Sequence, residues 1–138
     1  MRASRSAKAR LLHEIPLFSR CTKKELAALA LVADELDVPA GRELTRQGES
    51  GREFMVLVSG AADVVRNGRR VARLGPGDFL GEVALLTGGP RTATVTTTGP
   101  ATLLVLTQRA FGRVADEVPS VRASLLAALA VRLSEQAL

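Results

Sequence analysis

Two charged side chains set in a frame of glycines carry most of the chemistry this chain can offer. They lie in Gly75-Pro76-Gly77-Asp78-Phe79-Leu80-Gly81-Glu82-Val83-Ala84-Leu85-Leu86-Thr87-Gly88-Gly89-Pro90-Arg91-Thr92-Ala93-Thr94-Val95. In physical terms this is a glycine-rich turn, a very short apolar helix, a second glycine turn and a strand. A helix N-terminus presents unpaired N–H groups and a partial positive charge, which suits a phosphate. Gly81 lets the backbone approach an anion closely. Arg91 is the only basic residue between Arg73 and Arg109, and a guanidinium can grip two phosphate oxygens at once. Glu82 is a poor neighbour for a phosphate. It makes sense as an acceptor for a sugar hydroxyl beside backbone N–H groups that hold the anion. A Glu and an Arg nine residues apart could equally be a surface pair worth about 0–1 kcal/mol. The surrounding glycines and apolar turn favour a site.

The scarce residues exclude other chemistry. One Cys cannot form an internal disulfide, and one Cys with one His cannot supply the ligands of a zinc site. His13, Cys21 and Ser59 have no partners for a triad and read as structural or exposed. Gly75-x-Gly77 would need a third glycine where Leu80 stands, and a long helix after it, to read as a dinucleotide loop. No Walker-type loop is present. The expectation is a binding module with no catalytic residues, no metal and no cofactor, rather than an enzyme.

The elements that must position the site follow from pattern. The chain has 138 residues, of which 46% are hydrophobic and 24% charged. That balance fits one globular domain with a real core. The longest apolar run, Leu26 to Ala33, falls far short of the ~18–20 residues that span a bilayer. The N-terminus lacks the apolar core of a signal peptide. Met1 to Arg10 is rich in Arg, Ser and Ala without acids, as organellar transit peptides are, but the helical pattern begins almost at once, and the expected location is cytoplasmic. Net charge is +5, yet residues 1–24 hold seven basic side chains against Glu14, and the rest hold twelve basic against thirteen acidic. The basic end has no interleaved aromatics for stacking bases and reads as a solvated helix face. An anion bound in the near-neutral body must therefore be held by local geometry.

Leu11, Leu12, Ile15, Leu17 and Phe18 form an apolar lead-in, and Thr22-Lys23-Lys24-Glu25 fits a capping box before a helix at Leu26–Ala33. A short strand follows, ending at Pro39-Ala40-Gly41. Further strands are expected at Glu43–Arg46, Glu53–Ser59, Ala61–Arg66, Arg69–Leu74, Thr92–Thr98 and Ala101–Thr107. Asn67-Gly68 between two of them is a strong hairpin signal. Such frequent turns argue for a β-sandwich or jelly-roll barrel. Arg109–Glu117 reads as a helix. Pro119 then starts another, with Val121, Leu125, Leu126, Leu129 and Leu133 at helical spacing. The organisation is one domain over 1–138: a helical lead-in at 1–33, a β-barrel at 34–108 and two helices at 109–138.

The run Gly81 to Val95 resembles the phosphate-binding cassette of cyclic nucleotide-binding domains, the family that includes the catabolite activators and protein kinase A regulatory subunits. Ile15-Pro16-Leu17-Phe18, Gly41, Gln47-Gly48-Glu49 and Val58-Ser59-Gly60 extend the resemblance over nearly the whole chain. The resemblance implies an α+β, mainly β fold: an eight-stranded jelly-roll β-barrel flanked by N-terminal helices and two C-terminal helices. It implies that Gly81 and the amides of Val83, Ala84 and Ala93 meet a cyclic phosphate, that Glu82 binds the ribose 2′-hydroxyl, and that Arg91 pairs with an exocyclic oxygen. Thr92 permits cyclic GMP (cGMP) without excluding cyclic AMP (cAMP). By analogy Arg132 or Leu133 on the last helix would cover the base as the C-terminal helices swing in. That makes the chain a sensor or regulatory module in signal transduction. The final helix could pair two copies into a homodimer, or pack as the lid. Two other readings keep the fold. One is an interaction adaptor that has lost its ligand. The other is a transcription regulator lacking its helix-turn-helix, for which DNA is not an expected partner.

Overall fold

A computed structural model of the chain describes residues 4–15, 18–81 and 89–136, and of residues 125, 128, 129 and 131–136 the backbone alone. The chain divides into two compact units, one of residues 34–108 and one of residues 1–33 with 109–138.

The first unit is built of antiparallel strands. They are β1 (Asp34–Val38), β2 (Glu43–Thr45), β3 (Glu53–Ser59), β4 (Ala62–Arg66), β5 (Arg69–Leu74), β6 (Phe79–Leu80), β7 (Thr94–Thr97) and β8 (Ala101–Thr107). They pair as two four-stranded sheets, β1-β8-β3-β6 and β2-β7-β4-β5. A closed barrel was the expectation, and the described strands do not form one. Neither β1 and β2 nor β5 and β6 pair, and between β1 and β2 the chain turns the corner Pro39-Ala40-Gly41. Proline has no donor for a ladder, and Gly41 turns the chain at φ 77°. Thr97 holds this corner from below: its buried hydroxyl donates to the Pro39 carbonyl at 2.7 Å and accepts from Arg42 N–H at 2.9 Å. The two sheets share one core, with Val38, Leu57, Leu80 and Leu103 from the first and Ala62 and Val95 from the second.

Asn67-Gly68 forms the expected hairpin, with φ of 53° and 79° at its two central residues. Both are positive, as a type I′ turn demands. Four boundaries contract: β7 runs from Thr94 to Thr97 rather than Thr92 to Thr98, β4 starts at Ala62 rather than Ala61, and β2 stops at Thr45 rather than Arg46. Strand β6 went unseen because two residues between Gly77 and Gly81 cannot show a period. It pairs Leu80 with Met55 and Phe79 with Val56, and the Phe79 ring lies 5.8 Å from that of Phe54.

The second unit holds α1 (Arg5–His13), α2 (Lys23–Val32), α3 (Gln108–Glu117) and α4 (Pro119–Gln136). Helix α1 packs on α2. Lys8 Nζ donates to the Ala33 carbonyl at 2.7 Å, satisfying an orphan acceptor at the C-terminus of α2. Arg5, Arg10, Arg20, Lys23 and Lys24 are exposed. The capping box forms as expected: Thr22 Oγ1 accepts from Glu25 N–H at 3.1 Å, and Glu25 Oε1 from Thr22 N–H at 2.7 Å. Cys21 and Leu26, both buried, occupy the two positions of a hydrophobic staple around that cap. No helix among the described residues is long and apolar enough to cross a membrane.

Glu25 is only 2% exposed. Burial pushes its pKa up, but bonds from the Thr22 backbone, Ser120 and the Thr22 side chain outweigh burial and hold it below the ordinary value. A carboxylate with a depressed folded pKa stabilises above its unfolded pKa and loses that contribution as pH falls through the folded one. Urea midpoints measured downward from pH 7 should therefore fall below about pH 4.5, and Glu25→Gln should flatten that fall; parallel curves would refute the assignment. Burial, then the nearby Glu25 charge, pushes the Cys21 thiol from 9.0 up to about 11. At pH 9 the native thiol should hold on the order of fifty-fold less thiolate than the unfolded chain. Iodoacetamide should label it correspondingly slowly until urea is added.

Candidate functional site

The strand β3 begins at Glu53, an acid heading an apolar run in which Phe54 to Leu57 are all buried. Its backbone and side chain both face Arg91. Arg91 Nη2 donates to the Glu53 carbonyl at 2.8 Å and to Glu53 Oε2 at 3.3 Å. The Arg91 side chain is 8% exposed and that of Glu53 46%. Burial pulls the Arg91 pKa down, while the charge and hydrogen bond of Glu53 oppose this. A buried guanidinium needs such partners, since an unpaired charge in a poor solvent is costly.

Two glycines make room for it. A methyl group on Gly51 would overlap Nε and Cζ of Arg91. One on Gly81 would come within 2.5 Å of both Arg91 Nη1 and the Glu53 carbonyl, and Gly81 has φ 83°. The guanidinium thus passes between two residues without side chains. Its backbone is fixed as well: Arg91 N–H donates to the Glu49 carbonyl at 2.8 Å, Gly48 N–H donates to the Arg91 carbonyl at 2.9 Å, and Ser50 bridges Pro90.

The sequence-expected residues sort accordingly. Gly81 and Arg91 come together, with Nη1 on the Gly81 side and Nη2 committed to Glu53. Thr92 is exposed, and its carbonyl accepts from Arg66 Nε at 3.2 Å. Ala93 is buried, with its carbonyl taken by the Thr45 hydroxyl at 2.9 Å. Glu82, Val83 and Ala84 lie outside the described residues. Arg132 and Leu133 fall on α4, but their side chains lie outside the described ones. Gly51 and Glu53 were not anticipated. The signal was present in both: a glycine before a strand, and an acid on the first residue of an otherwise apolar one.

On the Gly51 side Arg91 lines a recess of about 290 Å³ shared with Glu43, Glu49 and Glu53. Arg46 also lines it, paired with Glu43 and Glu49, so three carboxylates against two guanidiniums leave the recess net negative and a poor place for an anion. On the other side Nη1 lies beside Gly81. Among the described residues no three His, Cys, Asp or Glu side chains gather as a metal site.

Residues 35–117 match the family described as the cyclic nucleotide-binding domain. The chain belongs to that family. A cAMP-dependent protein kinase regulatory subunit from Mycosarcoma maydis is 36% identical over 75% of this chain, which spans 22% of that relative's length. The N-terminal domain of a transcriptional regulator from Streptomyces coelicolor A3(2) superposes with a TM-score of 0.81 at 30% identity, covering 91% of each chain. The regulatory domain of Toxoplasma gondii PKA, solved with cAMP, gives a TM-score of 0.74 at 30% identity over 83% of this chain and 46% of that one.

The threading of Arg91 between glycines predicts that Gly51→Ala expels the guanidinium without unfolding the sheets, because Gly51 does not occupy the left-handed region. Phenylglyoxal should then modify Arg91 several-fold faster than in the parent, read by mass spectrometry of the peptide. Equal rates would show that the Arg91 pocket tolerates a Cβ.

Proposed function

We propose that this domain is a regulatory sensor that binds a cyclic nucleotide, phosphate first, on the Gly81 side of Arg91. The observation that carries the reading is the buried guanidinium, paired to Glu53 and presented beside a glycine at the mouth of the cassette. A buried, pre-oriented arginine loses little side-chain entropy when an anion arrives. In this reading Arg91 holds an exocyclic oxygen of the phosphate, and the amides of Val83, Ala84 and Ala93 complete the grip. Glu82 takes the ribose 2′-hydroxyl. Thr92, exposed beside Arg91, can reach a base edge and so admits cGMP as well as cAMP.

Regulation then follows from differential affinity. If the C-terminal helices close over the base, with Arg132 or Leu133 against it, ligand favours the closed arrangement by as much as it binds that arrangement better. The family resemblance supports the helix movement and the lid residues; the activity of any larger protein that carries the domain is part of the same proposal.

Calorimetry with cAMP, cGMP and their linear monophosphates tests this. The cyclic ligands should bind and raise the melting temperature by mass action. Arg91→Ala should weaken both by about 10–150-fold, the equivalent of a charge-assisted bond of about 1.5–3 kcal/mol. Linear monophosphates binding as tightly as cyclic ones would sink the reading. A flat titration with all four would favour an adaptor that keeps the fold without the ligand.

A further inference from the structure

The two sheets end in edge strands of opposite charge. Strand β5 is an edge of its sheet, and Arg69 to Arg73 along it are exposed. With Arg66 across the hairpin, four arginines fall within eight positions, against Asp63. Asp63 is shared: Arg73 Nε donates to it at 3.1 Å and Arg70 Nη1 lies 3.9 Å away. Arg69 stands directly opposite Arg66, a like-charge pairing that destabilises a hairpin. Val64 pairs Ala72 while Val65 pairs Arg70, so Val71 is the extra residue of a β-bulge. It is turned outward and 52% exposed. A recess of about 380 Å³ is lined by Arg70, Val71, Ala72 and Arg73.

Strand β1 is an edge of the other sheet, and its sequence is Asp34-Glu35-Leu36-Asp37-Val38. Asp34 and Asp37 are exposed, and Leu36 is 45% exposed. The corner at residues 39–41 places β1 at the same margin as β2, the edge opposite β5 in the second sheet. The acidic and basic edges therefore lie at opposite margins of one sandwich.

Charged edges normally keep copies of a protein apart. Charges of one sign on every edge would do that. Opposite signs on the two edges remove the repulsion and replace it with attraction. We infer that β1 of one copy docks on β5 of another, with Leu36 seated on Val71. If Leu36 faces Val71 in an antiparallel sense, Arg70 meets Asp37 and Arg73 meets Asp34. In a parallel sense, Arg69 meets Asp34 and Arg70 meets Glu35. Either direction brings two arginines onto two carboxylates. Pairing β5 with β5 places arginine against arginine, so a two-fold contact is disfavoured. The contact is heterologous and runs head to tail, which propagates rather than closes into a dimer. A nucleic acid is the poorer occupant, because no Phe, Tyr or Trp lies on either edge segment to stack its bases.

Sedimentation of the full chain tests this independently of any nucleotide. At about 50 mM salt the weight-average mass should rise at least about two-fold with concentration, and return to that of a monomer at about 500 mM, where the Debye length is only a few ångströms. Arg69→Glu with Arg70→Glu should abolish the rise, as should Asp34→Lys with Glu35→Lys. Mixing the two charge-reversed proteins should restore it, since the unaltered acidic β1 of the first then meets the unaltered basic β5 of the second. Val71→Ser, which alters no charge, should weaken assembly by about ten-fold, as loss of an apolar contact does. A mass that neither salt nor either reversal changes overturns the inference, as does a mixture that stays monomeric.

Discussion

A guanidinium can be taken out of water only where something replaces the water. Arg91 meets that condition through the carbonyl and carboxylate of Glu53, and much of the sheet unit is arranged so that the pairing can exist. The side chain needs a passage, and Gly51 and Gly81 supply it by having no Cβ. It needs Glu53 at the first residue of β3, and the register there is strict. Glu53 pairs Thr107 while Phe54, Met55, Val56 and Leu57 continue the ladder against β8. A slip of one residue would turn Met55 and Leu57 out of the core between the sheets. The apolar core and the charged anchor are thus fixed by the same strand, and neither can be moved alone.

The loop at 47–51 is the second support. Gly48 and Glu49 exchange backbone bonds with Arg91, so the chain carrying the guanidinium is held as a short two-strand pair just ahead of the first residue of β7. Gln47 extends the clamp. Its side-chain amide donates to Asn67 Oδ1 at 2.8 Å and accepts from Asn67 N–H at 2.9 Å, while its own N–H donates to Thr94 Oγ1 at 3.0 Å. The tip of the β4–β5 hairpin is in this way tied to the segment that bears Arg91. Loops that carry function work when a scaffold fixes them, and here the fixing is done by polar side chains on turns rather than by burial.

What could be read in the sequence was what local chemistry decides. Asn67-Gly68 specifies its turn because few other pairs tolerate two positive φ angles. Thr22 and Glu25 specify a helix start because they satisfy each other's backbone donors. Long apolar strands such as Phe54–Leu57 and Leu103–Leu106 announce themselves. Strand β6 did not, since its two residues owe their conformation to Met55 and Val56, which are distant in sequence. The corner between β1 and β2 is held by Thr97 reaching the Pro39 and Arg42 backbone, again a non-local contact. That Arg91 and Gly81 come together was legible because they are close in sequence; the part of Glu53 was not, because it lies 38 residues from its partner. The overall charge of +5 pointed toward the N-terminus, whereas the candidate anion site lies in the near-neutral sheets.

Glu53 also limits what Arg91 can do. A carboxylate a few ångströms from the guanidinium interacts with it by on the order of 4 kcal/mol at an effective dielectric of 20. A second anion on Nη1 must share that positive charge and also meets the negative charge of Glu53. Arg91 with Glu53 is close to a neutral pair, so it cannot attract anions from a distance as an unpaired arginine would. In the proposed reading its contribution is direction: a donor held in place before the ligand arrives. The remaining affinity has to come from groups that add no further charge, and backbone amides are the neutral donors a glycine-rich turn can aim. A site of this composition gains little from net charge and much from shape. In the proposed reading it should therefore favour the singly charged, ring-constrained phosphate of a cyclic nucleotide over a linear monophosphate, whose monoester carries about −1.5 to −2 at pH 7.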